Sequence, residues 1–193
     1  EDRIDSSFKM KGSLNMAYVS QMDGTIPILL YSLVNSNWDV EREDKLTVGS
    51  ETVDDQMYRN KLLLEEATKT SLLVAYNKSN IKYKTYNKKV FITYKDDFSK
   101  TDLKVGDQII MASSKEITGK QDLYDYIGSK NVGDKVFFTV IRNGKKMKCS
   151  ATLIDVAGEA KVGLLITETF DIKSDYPIRL KFKESESGSS GGL

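Results

Sequence analysis

Val90-Phe91-Ile92-Thr93-Tyr94 opens a run of three short segments that decides the fold. Leu103-Lys104-Val105-Gly106-Asp107-Gln108-Ile109-Ile110 follows, then Gly133-Asp134 leading into Lys135-Val136-Phe137-Phe138-Thr139-Val140-Ile141-Arg142. The first is rich in β-branched and aromatic residues, which suit a pleated surface. The other two each run from a Gly-Asp turn into apolar residues. Asn143-Gly144 comes next, the strongest two-residue hairpin signal in the chain. Lys145–Leu153 then returns as a strand with Met147, Cys149, Ala151 and Leu153 in alternation. Asp122–Gly128 suits a short helix with Leu123, Tyr126 and Ile127 on one face.

Working outward toward the N-terminus, residues 80–86 read as a strand and a turn. Residues 53–79 read as one long helix, capped by Thr52 or Ser50. Its expected inward stripe is Val53, Met57, Leu64, Thr68, Ser71 and Ala75, small toward its end and suited to close approach on a sheet. Residues 35–52 are polar and loop-like. Residues 8–34 alternate apolar and polar residues and contain Asp23-Gly24, so they read as strands, with Ile26–Val34 returning. Toward the C-terminus, residues 155–161 read as a linker, and Val162–Thr167 and Ile178–Phe182 as strands. No internal repeat is visible.

Composition excludes several chemistries. The 193 residues carry 29 Lys+Arg against 28 Asp+Glu, a net charge of +1. That balance gives no electrostatic footprint for nucleic acid, even though Lys82, Lys84, Lys88 and Lys89 interleave with Tyr83 and Tyr86. There is no histidine, which removes a Ser-His-Asp triad, a Cys-His dyad and every imidazole metal site. Cys149 is the only cysteine, so no disulfide forms within the chain. No calcium-loop spacing and no Gly-x-x-x-x-Gly-Lys phosphate loop occurs, and neither a metal nor a cofactor is expected. Apolar runs such as Ile26–Tyr31 and Leu72–Tyr76 fall far short of the roughly 20 residues of a membrane helix. The sequence starts at Glu1 with no signal-like stretch, and so reads as an excised or processed piece.

The stretch from Val90 to Leu153 resembles a PDZ domain of the bacterial type in the order and spacing of its parts. The resemblance implies strand addition: an extended peptide pairs with the exposed edge of Val90–Tyr94 and lies against the short helix. The groove residues are then Val90, Phe91, Ile92, Leu123, Tyr126 and Ile127. The family seats a peptide carboxylate on a Gly-containing loop before the strand. Here that loop is Thr85-Tyr86-Asn87-Lys88-Lys89, without glycine. Lys88 or Lys89 is either a substitute charge there or a solvated pair.

Seven of the last nine residues are Ser or Gly. Alone, they read as a flexible tail. Gly188-Ser189-Ser190-Gly191-Gly192 also fits a Gly-x-Ser-small-Gly turn after the alternating Ile178–Phe182. A serine on such a turn leaves its hydroxyl open and aims neighbouring N–H groups at a developing oxyanion. Without histidine, its base is a lysine, a carboxylate or an amino terminus.

Asp175-Tyr176-Pro177-Ile178 through Leu193 is similar to the nucleophile segment of Lon-type serine peptidases. With Phe8-Lys9-Met10-Lys11-Gly12-Ser13-Leu14 and the order of parts, most of the chain resembles the membrane-anchored, PDZ-containing Lon-like peptidases of Gram-positive bacteria. The resemblance implies an α+β fold with a PDZ-like half-barrel (86–156) inserted in or next to an incomplete Lon-type peptidase domain (1–85 and 157–193). It implies a Ser-Lys dyad with Ser190 as nucleophile, a polypeptide substrate or peptide ligand, and a place on the extracytoplasmic face of the membrane, held by an anchor not in this sequence. Ser189 stands where that family often has proline, and Gly191 where it often has alanine. The family's dyad lysine lies well downstream of the serine, and no lysine here matches it. The piece by itself is therefore expected to be inactive and its parent to be a protease. The alternative is a non-catalytic PDZ adaptor with a flexible Ser/Gly tail.

Overall fold

A computed structural model of the chain describes residues 22–42, 45, 47 and 49–178. The strands expected over 8–21, the strand Ile178–Phe182 beyond its first residue, and the turn holding Ser190 lie outside the described residues. Residues up to Glu41 and from Arg42 onward group as two units.

In the first unit, Ile26–Ser32 is a helix, α1, where a returning strand was expected. Pro27 explains the difference. In the first turn of a helix its missing N–H is not needed and its fixed φ is already helical. The Leu29 amide closes that turn on the Thr25 carbonyl at 2.9 Å. No residue of α1 is buried, and Tyr31 meets Trp38 edge to face at 5.3 Å.

In the second unit, Val53–Lys78 is one helix, α2. Thr52 caps it reciprocally: the Asp55 amide donates to Thr52 Oγ1 at 3.1 Å, and the Thr52 amide donates to Asp55 Oδ2 at 3.3 Å. Asp54 and Asp55 in its first turn and Lys78 in its last suit the helix dipole. The inward face is only partly the expected one. Leu62 and Tyr76 are buried, with Glu66, Lys69 and Leu73 half-buried between them at helical spacing; of the expected stripe Val53, Leu64 and Thr68 are half-buried, whereas Met57, Ser71 and Ala75 are exposed. The surface beneath is polar, so charged side chains face it and apolar periodicity picks only part of the stripe. Lys69, for example, lies 3.6 Å from Asp171.

Among the described residues nine strands follow, interrupted by one helix, α3 (Lys120–Gly128). They are β1 (Tyr83–Lys95), β2 (Lys100–Thr101), β3 (Gln108–Ala112), β4 (Lys115–Glu116), β5 (Lys135–Arg142), β6 (Lys145–Thr152), β7 (Ile154–Val156), β8 (Glu159–Lys161) and β9 (Leu164–Ser174). The main sheet is antiparallel, in the order β2-β6-β5-β3-β1-β9, with β4 paired to β3, and it curls into a half-barrel. The fold is a mixed α+β one. Asn143 and Gly144 both take positive φ, 50° and 75°, in the β5–β6 turn, as their identities predict.

Two further expectations are corrected. The segment 155–161 is no linker, because β7 and β8 form a hairpin of their own. Its turn is Ala157-Gly158, with Ala157 at φ 55° and the Gly158 amide held by Asp155 Oδ1 at 2.8 Å. Alanine at a left-handed position carries no sequence signal. The pieces 80–86 and 90–94 are one strand, β1, with Asn87 at φ 51° in a register shift between Tyr86 and Lys89.

The core lies between the half-barrel and α3. Val136, Phe138 and Val140 enter it from β5, while Phe137, the residue between the first two, is 57% exposed. Strand alternation therefore sets opposite fates for adjacent phenylalanines. Phe138→Ala should cost about 3–5 kcal/mol, the range for truncating a buried aromatic residue. Phe137→Ala should cost less than about 1 kcal/mol, mainly its contact with the Lys135 ammonium. Urea unfolding of both variants checks this; similar losses would contradict the register.

Candidate functional site

β1 has two edges. β3 fills one, with Val90 opposite Ile109 and Phe91 opposite Gln108. The other was expected to be open, and it is not. β9 pairs with it antiparallel through ten residue pairs, from Tyr83 opposite Ser174 to Lys95 opposite Leu164. The β7–β8 hairpin comes directly before this strand, and β9 returns along the free edge of β1. Edge strands carry unpaired backbone groups that another strand satisfies.

The six groove residues divide between two faces. Val90 and Ile92 are fully buried and share a cluster with Leu123 of α3, against which Tyr126 and Ile127 pack. Phe91 alternates to the opposite face and is half-buried opposite Thr167. Thr167 donates to Glu66 of α2 from that same face.

Side chains on β9 tie it to three elements. Ile166 and Glu168 stand opposite Ile92 and Val90, so they share the face of β1 that looks to the core and α3. Ile166 packs against the core cluster. Glu168, 14% exposed, accepts from the Lys120 amide at the start of α3 at 2.8 Å, and from Lys88 Nζ at 3.0 Å. Lys88 is thus a paired residue, and its partner belongs to the chain itself. Glu66 accepts from Lys120 Nζ at 2.7 Å as well as from Thr167. Sequence reasoning missed Glu66 and Glu168. Each is a lone charge in an amphipathic stretch, and nothing local marks the groups that the fold brings to it.

The approach to α3 is organised by Asp122, whose carboxylate accepts from the Thr118 amide at 2.8 Å and from its hydroxyl at 2.6 Å. These bonds, the side-chain one foremost, hold its carboxyl below the ordinary aspartate value of 3.8. A lowered pKa means stabilisation present above the unfolded-state value and lost as pH falls through the folded one. An NMR titration of Asp122 should find a midpoint below 3.8, rising toward it in Thr118→Ala. A wild-type midpoint at or above 3.8 would contradict the arrangement.

Beside α3 and the start of β9 lies a cavity of about 870 Å³, lined by Leu123 and Ile127, the core residues Ile109 and Phe138, and Val162 to Ile166. Beyond β9, the Tyr76 hydroxyl donates to the Tyr176 carbonyl at 2.9 Å and accepts from the Ile178 amide at 3.2 Å, which fixes the departing chain on α2. Cys149 is buried, and that burial pushes its thiol pKa up. Among the described residues, no cluster of acidic residues and cysteine is arranged to hold a metal, and no helix is long and apolar enough to cross a membrane.

Comparison with known proteins bears on the middle of the chain. A search of curated proteins finds no match. Among solved structures, the PDZ domain of an SdrC-like protein from Listeria monocytogenes is 26% identical, covers 40% of this chain and 85% of its own, and has a TM-score of 0.37. The PDZ domain of an SdrC-like protein from Listeria innocua is 28% identical, with 40% and 92% covered and a TM-score of 0.38. Residues 75–153 match the family described as PDZ domain, a match that takes in α3 and the sheet from β1 to β6 and ends before β7. This part of the chain is a PDZ domain, a peptide-binding module.

Proposed function

We propose that the chain is part of a Ser-Lys serine endopeptidase in which the PDZ module takes up extended polypeptide for cleavage at Ser190. One observation carries the reading: the strand entering the module and the strand leaving it are neighbours. Tyr83 stands opposite Ser174 and Lys84 opposite Lys173, and α2 packs on both strands. Such a module can be inserted into another domain without separating the segments that directly flank it. β9 also leads toward the segment that holds Ser190.

In this reading the Ser190 hydroxyl attacks the scissile carbonyl and gives its proton to a lysine kept neutral in a desolvated site. Backbone N–H groups beside the nucleophile would then be the donors to the oxyanion. The resemblance to the Lon-like peptidases supports the dyad and a membrane-anchored, extracytoplasmic setting. The test is cleavage of an unfolded casein substrate by the full-length protein. Cleavage that disappears in Ser190→Ala supports the reading. No cleavage, or cleavage indifferent to Ser190, overturns it and leaves a peptide-binding adaptor.

A further inference from the structure

β9 lies outside the residues that match the PDZ family, yet it occupies the edge of β1 beside α3. That is the place where strand addition would put a peptide. Its alternate side chains are used as a ligand's would be. Ile166, half-buried, packs against the apolar cluster that includes Leu123 of α3, and two positions on, Glu168 meets the Lys120 amide and the Lys88 ammonium. Thr167, on the other face, is held by Glu66. Main-chain, apolar and ionic contacts are thus all made by the chain's own strand, with one register shift in the ladder opposite Leu165 and Ile166.

We propose that β9 is the resident ligand of the module, and that it defines what the groove accepts: an extended segment with an aliphatic residue followed two positions later by a carboxylate. An incoming polypeptide of that pattern binds by displacing Leu164–Thr169 from β1. The inference rests on the reading of the module as a receiver of extended polypeptide. A tethered ligand competes at an effective concentration in the millimolar range for a short connection. A site open for only a fraction of the time loses affinity in proportion to that fraction. The intact module therefore binds weakly, and loosening β9 raises affinity. The cavity beside Val162–Ile166 gives the incoming chain a foothold at the end where β9 begins.

The probe is a synthetic peptide copying residues 164–169, Leu-Leu-Ile-Thr-Glu-Thr, followed by NMR titration of the whole chain. Glu168→Ala removes the internal carboxylate and leaves the groove's Lys88 in place. It should bind the probe about tenfold more tightly than the wild type, with faster hydrogen exchange along Leu164–Thr169. A probe with lysine in place of its glutamate should gain nothing. The cross-strand partners Phe91 and Thr167 are then replaced together by cysteines, which locks β9 to β1 on oxidation. Probe binding should be lost in the oxidised form and return on reduction. Equal binding by oxidised and reduced forms would show that β9 is not the competitor, while peptide binding itself stands. Should Glu168→Ala bind no probe although β9 exchanges freely, the inference falls together with the peptide-uptake reading.

Discussion

Ser190→Ala in the full-length protein should cut turnover of an unfolded casein substrate by more than about a thousandfold, with KM little changed. None of these 193 residues is a histidine, so none of them supplies an imidazole to activate the nucleophile. Deleting the hydroxyl removes the covalent step itself. What survives is substrate binding and whatever the backbone N–H groups contribute to an oxyanion. The PDZ module would still hold substrate, which is why the loss belongs in kcat. A neutral lysine as base further predicts activity that rises with pH through the lysine's lowered pKa. If the variant keeps its activity, Ser190 is not the nucleophile and the Ser/Gly end is a tail.

Arg142→Ala should lower stability by about 3–5 kcal/mol, the cost of leaving a buried charge without its partner. Asp107 is completely buried. Its Oδ1 accepts from Arg142 Nε and its Oδ2 from Arg142 Nη2, both at 2.6 Å, and the Lys104 amide donates to Oδ2 at 2.9 Å. Arg142 Nη2 reaches the Asp102 carbonyl as well, at 3.1 Å, so one guanidinium ties the β2–β3 connection to the end of β5. The hydrogen bonds to Asp107 also raise the Arg142 pKa, which keeps it charged throughout the accessible range. Removing it strands a carboxylate with a single amide donor. Domains of this size hold about 5–15 kcal/mol in total, so the loss is a large share. Urea denaturation should show a lower midpoint at unchanged slope. Replacing both partners with apolar residues should recover much of the loss, since the penalty comes from the unpaired charge. A change below about 1 kcal/mol in Arg142→Ala would mean that Asp107 finds water.

Asp107 and Arg142 also show what could be read locally. Gly106-Asp107 was legible as a turn and Lys135–Arg142 as a strand, from turn chemistry and alternation. Their pairing, 35 residues apart, was not. The same holds at the candidate site. Leu123, Tyr126 and Ile127 were legible as one helical face and Val90, Phe91 and Ile92 as a strand, and the structure brings five of these six together. Phe91 is the exception, because the pleat turns it to the opposite face. α2 was legible as a helix capped by Thr52 or Ser50, but its inward face was read only in part, because Glu66 and Lys69 turn toward polar partners on β9 and at the start of α3.

By itself, the sequence determined the elements of the PDZ module, its hairpin at Asn143-Gly144 and its helix. Those features depend on residues a few positions apart, through backbone sterics and side-chain period. Only the tertiary structure decided that the β1 edge is filled, that β9 fills it, and that Glu168 meets Lys88. A strand edge is satisfied by whichever segment the whole chain delivers to it, and neither the edge nor the segment carries a local mark of the other.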